Sequence, residues 1–324
     1  MDRRTFLAGT GAALLTAPLV AQAQQTRVYR VGVVHQGGAY SEMVEGLREA
    51  LKELGFKEGQ QLVLDVRDTK GDLKAVEAAA KSLEAAKVDL IVSVASSTTI
   101  AVKQATQSVP IVFYAGDDPV KLGLVSSFRQ PGGRLTGVHG QTTDLTAKRL
   151  ELLKELAPGI RRVLVLYNPA NAVALRSLGI ARDAARQLKV TLVERPVASV
   201  SELSKALQML RAGEVDGIAY VADAMMTSQA KAVIDTAIAR KLPMMGANLY
   251  YAAIGALASY GENVRIIGQR LARYAERVLL GTAPGDLPIE QLDRLHFVIN
   301  LKTARTLGLT IPPAVLARAD EVIQ

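Results

Sequence analysis

The sequence predicts an α/β protein: two similar doubly wound, Rossmann-like lobes joined by a hinge that the chain crosses several times. Three observations carry this reading. Short apolar runs alternate with amphipathic stretches along nearly the whole chain. The runs are rich in Val, Ile and Leu without polar alternation, which suits strands covered on both faces of a parallel sheet. The pattern runs twice, and 324 residues, 49% of them hydrophobic, can supply a core for each lobe.

The first set of expected strands is 31–35, 62–66, 90–95, 111–115 and 135–138, and the second is 163–167, 190–193, 217–221 and 243–246. Helices fall between them. In 41–54, Met43, Leu47, Leu51 and Leu54 make one stripe, and Ser41 is placed as its N-cap. In "SELSKALQML", Leu203, Ala206, Leu207 and Leu210 recur at helical spacing. A charged amphipathic helix over 143–156 separates the two runs. Beyond Asn248, "ALASYGENVRIIGQRLARYAERVLLG" and "HFVINLKTARTLG" each read as strand plus helix. A third half-domain is too small to stand alone. The expected division is therefore 27–141 with 254–282 as lobe 1, and 142–253 with 283–324 as lobe 2. The chain then crosses three times, with a ligand cleft between the lobes.

The first 23 residues, "MDRRTFLAGTGAALLTAPLVAQA", read as an export signal: paired Arg3 and Arg4, an apolar stretch, and an A-x-A cleavage site ending at Ala23. Arg-Arg before Thr-Phe-Leu points to the twin-arginine route. The expected location is the periplasm. The chain has no cysteine, which excludes disulfides, thiolate zinc sites and a cysteine nucleophile. Its formal charge is +8, and cleavage of the signal lowers that by one. The basic residues sit beside acids on helix faces rather than in a patch, so no nucleic-acid partner is expected.

Ligands of open α/β sheets bind beyond the carboxyl ends of the strands. The candidate residues are those that follow each strand: Gln36 after the first, Ser96, Ser97 and Thr98 after the third, and Asp117 after the fourth. The second run offers Tyr167, Asn168, Asp223 and Asn248, and the returning strand offers Tyr260. Four successive hydroxyls, Ser96 to Thr99, exceed what one helix cap needs. The surplus donors beside free helical N–H groups suit a carboxylate. Asp223 or Asp117 is placed to hold an ammonium, and the competing reading of Asp223 is a helix N-cap. Asp118 is expected to fix the turn before Pro119, and Tyr114, Tyr167 and Tyr260 to stack on a ligand or pack at a lobe edge. The chain has no G-x-G-x-x-G after the first strand, no P-loop and no G-x-S-x-G elbow. His35, His139 and His296 lack metal-ligand spacing. No cofactor, metal or catalytic residue is expected.

Four stretches carry a family likeness: "GLREALKELGFKEGQ", "VPIVFYAGDDPVKLGLVSSFRQPGGRLTGV", "KRLELLKELAPGIRRVLVLYNPAN" and the tail "LPIEQLDRLHFVINLKTARTLGLTIPPAVLARADEVI". With them the chain resembles the tryptophan/tyrosine-type substrate-binding proteins of ABC transporters, within the type I periplasmic-binding superfamily. The resemblance implies a monomeric, hinge-closing binder of a small organic acid or amino acid, aromatic or branched-chain. It implies delivery to an ABC permease with its ATPase, contact with the membrane only through that permease, and pocket elements holding Ser96 to Thr98, Asp117, Asn168 and Asp223. The chain departs from the family pattern at "HQGGAYSEM" and "VADAMMTSQ", where relatives often flank the aspartate with prolines. A sensor component presenting ligand to a chemoreceptor or kinase is the alternative. An exported α/β enzyme is a weaker one, since no nucleophile–base pair stands out.

Overall fold

The computed structural model describes residues 27–324; the signal reading of residues 1–23 lies outside them. The first sheet contains β1 (Tyr29–His35), β2 (Leu62–Asp68), β3 (Leu90–Val94), β4 (Ile111–Ala115) and β5 (Leu135–His139), with α1 (Ala39–Glu53), α2 (Leu73–Ala85) and α3 (Ser96–Ala105) as crossovers. The chain enters the second half through α4 (Thr146–Leu156). There follow β6 (Arg162–Tyr167), α5 (Ala172–Leu188), β7 (Thr191–Pro196), α6 (Val200–Gln208), β8 (Gly217–Ala219), α7 (Ala224–Ser228), α8 (Ala230–Ala239), β9 (Met244–Gly246), α9 (Leu249–Ala253) and β10 (Ala258–Gly261). The remainder is α10 (Val264–Leu279), β11 (Glu290–Gln291), β12 (His296–Asn300), α11 (Leu301–Leu307), α12 (Pro313–Leu316) and β13 (Glu321–Ile323).

Both sheets share one topology. The first runs β11-β5-β4-β3-β1-β2 and the second β13-β12-β10-β9-β8-β6-β7. Each contains the doubly wound order 2-1-3-4-5 as β2-β1-β3-β4-β5 and β7-β6-β8-β9-β10, with every pairing in these two sets parallel. In such an order the crossovers leave on opposite faces either side of the first strand, and a crevice opens at that switch point. The apolar runs behave as expected: β3, β4 and β5 are buried at every position. The edge strands β2 and β7 are only partly covered. Each sheet carries a hydrophobic core on both faces.

The chain passes between the sheets three times, but two of the expected boundaries move. The segment 254–282 does not go to lobe 1 as a unit. Its strand β10 pairs with β9 in the second sheet as that sheet's fifth strand, and only α10 returns to the first lobe. Likewise 283–324 is not wholly lobe 2, because β11 pairs with β5. The crossings therefore lie between β5 and α4, between β10 and α10, and between β11 and β12. Helix α10 is held on lobe 1 by backbone contact with α1. A Cβ on Gly46 would stand 2.2 Å from the Arg265 carbonyl oxygen, and one on Gly268 would stand 2.0 Å from that of Met43. Two helices approach this closely only where neither carries a side chain.

Ser41 is not the cap of α1. The helix begins at Ala39 after Gly38, whose φ is +61°. A Cβ on Gly38 would lie 2.1 Å from the Thr227 carbonyl oxygen of the other lobe. The glycine turn lets the lobes touch there, and it starts the helix earlier than the serine predicts.

Candidate functional site

The carboxyl ends of both sheets face each other across a narrow cavity of about 520 Å³, its mouth to solvent included. Of the residues expected from sequence, Ser96, Ser97, Asp117, Asp223 and Asn248 line it. Gln36, Thr98, Tyr167, Asn168 and Tyr260 do not. Gln36 Nε2 donates to Thr98 Oγ1 at 2.9 Å, and both side chains lie beneath the surface. Asn168 turns its side chain to the Ala170 N–H, 2.9 Å. The Tyr167 ring packs against the core of the second lobe, and that of Tyr260 against Phe297, 6.3 Å between centroids.

The four hydroxyls divide their labour, and none caps α3. Ser96 Oγ donates to Asp117 Oδ2 at 2.8 Å. Thr98 serves Gln36. Thr99 Oγ1 donates to the Ala95 carbonyl at 2.9 Å and meets Ser93 Oγ at 3.1 Å. Ser97 is half-buried and lines the cavity. The cap position is Ala95, at φ +90°, a backbone state that costs a non-glycine residue. It starts α3 beside the cavity, which Ala95, Ser96 and Ser97 line, and the first-turn N–H groups of a helix have no partner within it.

Asp223 is a helix N-cap: Oδ1 accepts from Met225 N at 2.9 Å and Met226 N at 3.4 Å, and Oδ2 from Asn168 N at 2.9 Å. Burial pushes its carboxyl above the ordinary value, against the pull of those N–H groups. Asp117 is 2% exposed. Its Oδ1 is paired with Arg176 of α5, across the cleft, and its Oδ2 takes the Ser96 hydroxyl. Both carboxylates expected to hold an ammonium thus have both oxygens engaged by the protein itself. Asp118 behaves as expected, accepting from Val120 N and Lys121 N. His35 is a turn residue: Nδ1 accepts from Gly37 N at 3.1 Å, and burial lowers its basicity.

Tyr114, expected from sequence only to pack or stack, also lines the cavity, together with four residues outside the strand-end candidates: Tyr40, Tyr220, Asn171 and Glu262. Tyr40 and Tyr114 come from lobe 1 and Tyr220 from lobe 2. Burial holds all three hydroxyls above the usual tyrosine range, so they are neutral donors and acceptors. Tyr114 Oη meets Thr142 Oγ1 at 3.2 Å, and Tyr220 Oη meets Thr227 Oγ1 at 3.0 Å. Two of the missed residues carried a readable signal: Tyr220 and Glu262 each follow the last residue of a strand. Beneath the cavity, Arg149 is 1% exposed. It donates to the carbonyls of Tyr260 (2.7 Å), Thr142 (2.6 Å) and Ala247 (3.1 Å), tying two crossings to the end of β9.

Paired α/β sheets with a tyrosine-walled cavity at their switch points define a class of binding protein that holds small molecules between two lobes. The model of the family described as ABC transporter substrate binding protein matches residues 30–323. The chain belongs to that family, whose members bind solutes and are not enzymes. It is 29% identical over 267 residues, 82% of its length and 76% of the relative's, to a tyrosine-binding protein of Clostridioides difficile strain R20291. A structure of a conserved domain protein from Vibrio cholerae O1 biovar El Tor is 31% identical with a TM-score of 0.81, covering 91% of this chain and all of that one. The ABC domain of Streptococcus pneumoniae in complex with L-Trp is 26% identical with a TM-score of 0.79, over the same shares. No described helix is long and apolar enough to cross a membrane.

Proposed function

We propose that the protein is exported to the periplasm and there captures an α-amino acid with an aromatic or large apolar side chain. It then presents that cargo, as a monomer, to an ABC permease driven by its ATPase. The observation that carries this reading is the cavity itself. Its walls are Tyr40, Tyr114 and Tyr220 together with Val173, Val264 and Ile267, surfaces that complement an aromatic or aliphatic side chain. One end is the N-terminus of α3 with the Ser97 hydroxyl, a setting that favours a carboxylate. Two relatives, one a tyrosine-binding protein and one in complex with L-Trp, support the same class of ligand. Binding drives cleft closure by favouring the state in which both lobes touch the ligand.

The test is a thermal-shift series on protein starting at Gln24, unfolded and refolded to strip any cargo. At a hundred times its Kd a true ligand adds about 2.7 kcal/mol, which is about 4 °C for a chain of this size. L-Tyr, L-Trp or L-Phe should produce it. In Ser97→Ala the same ligand should bind about tenfold more weakly, the worth of one hydrogen bond to a charged group. If no α-amino acid raises the melting temperature, the reading fails.

A further inference from the structure

We infer that the Glu262 carboxylate, together with the amide oxygen of Asn248, receives the α-ammonium of the ligand; this rests on the amino-acid reading above. Three carboxylates line the cavity: Asp117, Asp223 and Glu262. Every oxygen of the first two already accepts from a donor of the protein. Glu262 differs. Its Oε1 accepts from the Gln141 N–H at 2.9 Å. Its Oε2 is the cavity's one carboxylate oxygen that no described donor engages. The residue is only 4% exposed. A buried carboxylate beside a cavity, with one oxygen that no described donor engages, calls for a cation or a donor there.

Asn248 makes the same demand independently. It is 9% exposed, lines the same cavity, and its Oδ1 is buried without a hydrogen-bond partner. The two residues are neighbours by topology. β9 and β10 are adjacent and parallel, with Gly246 opposite Ser259, so Asn248 and Glu262 emerge side by side beyond the two strand ends. Two acceptors with unused capacity, one of them a carboxylate, match the three N–H donors of an ammonium. They do not match a carboxylate, which supplies no proton. The cargo is therefore an amine, and a plain carboxylic acid lacks the group this corner is built to receive. Glu262 also lies within the field of the buried Arg149, so a purely structural role, balancing that charge and holding Gln141, is the rival account.

Calorimetric titration of the refolded protein separates the two. The probes are L-tyrosine and L-tryptophan, each against its deaminated analogue, 3-(4-hydroxyphenyl)propionate or indole-3-propionate. The wild type should prefer the amine-bearing partner by about a hundredfold or more, and Glu262→Gln, which keeps an acceptor for Gln141, should cut that preference at least about tenfold by weakening the amino acid alone. Asn248→Ala should reduce the same ratio in the same direction, which keeps the test informative if the glutamate variant folds poorly. A structural role would weaken both compounds alike. A ratio unchanged in both variants overturns the inference while leaving the function reading intact. A wild-type protein that binds neither compound overturns the function reading and this inference with it.

Discussion

At the scale of single residues, the most deeply buried charged side chain among the described residues is Arg149. Its guanidinium is fully enclosed, lies 5.6 Å from the Tyr220 ring centroid, and spends its donors on three backbone carbonyls rather than on a carboxylate. Those carbonyls belong to Thr142, Ala247 and Tyr260, at or beside the hinge crossings. Replacing Arg149 by methionine keeps the length and apolar stem but leaves three buried acceptors without donors. The expected cost is about 3 kcal/mol, read from the shift in urea midpoint. Residue chemistry also explains which parts of the site were legible. Ser96, Ser97, Asp117, Asp223 and Asn248 could be read because they lie within a few residues of the ends of buried strands, where the chain must turn and polar groups gather. Thr98 and Gln36 have the same address but face each other beneath the surface, a choice of side that one sequence does not encode. Tyr40 was invisible for the opposite reason: it is an aromatic in the first turn of α1, indistinguishable in pattern from a core residue.

Among elements, the pairing of α1 with α10 fixes where the hinge returns to lobe 1. Its closeness depends on Gly46 and Gly268, whose missing side chains let backbone meet backbone. Gly268→Ala should therefore destabilise the fold by about 2 kcal/mol or more through overpacking. Gly179→Ala, in the interior of α5 with nothing within 4 Å of its would-be Cβ, should instead stabilise it by about 0.5–1 kcal/mol, the usual gain from removing a helical glycine. Chemical denaturation of both variants checks the contrast, and equal effects would contradict the packing account. The strands themselves were legible because β1, β3, β4 and β6 are rich in Val, Ile and Leu without polar alternation. The assignment of β10 was not. "ALASY" reads as a buried strand in either sheet, and only the shared 2-1-3-4-5 order shows that the second sheet lacks a fifth strand without it.

Across the whole molecule, the lobes meet around the cavity at several points. Arg176 of α5 pairs with Asp117, Gly38 abuts Thr227, and Gln229 Nε2 reaches the Lys70 carbonyl at 3.4 Å. The ligand's carboxylate, ammonium and side chain would each find a different wall, so that one small molecule adds to these contacts and favours the closed pair of lobes. The central claim is that an aromatic amino acid sits in this interlobe cavity, and the sequence offers a direct way to test it. The chain contains no tryptophan, so the indole emission of added L-tryptophan reports on the ligand alone. Titrating refolded protein into L-tryptophan should shift that emission to the blue, saturate at one equivalent, and fail to do so in Ser97→Phe, where a ring replaces a hydroxyl that lines the cavity. A shift that Ser97→Phe leaves intact, or an emission unchanged by a wild-type protein that L-tyrosine and L-phenylalanine likewise fail to stabilise, would contradict the account.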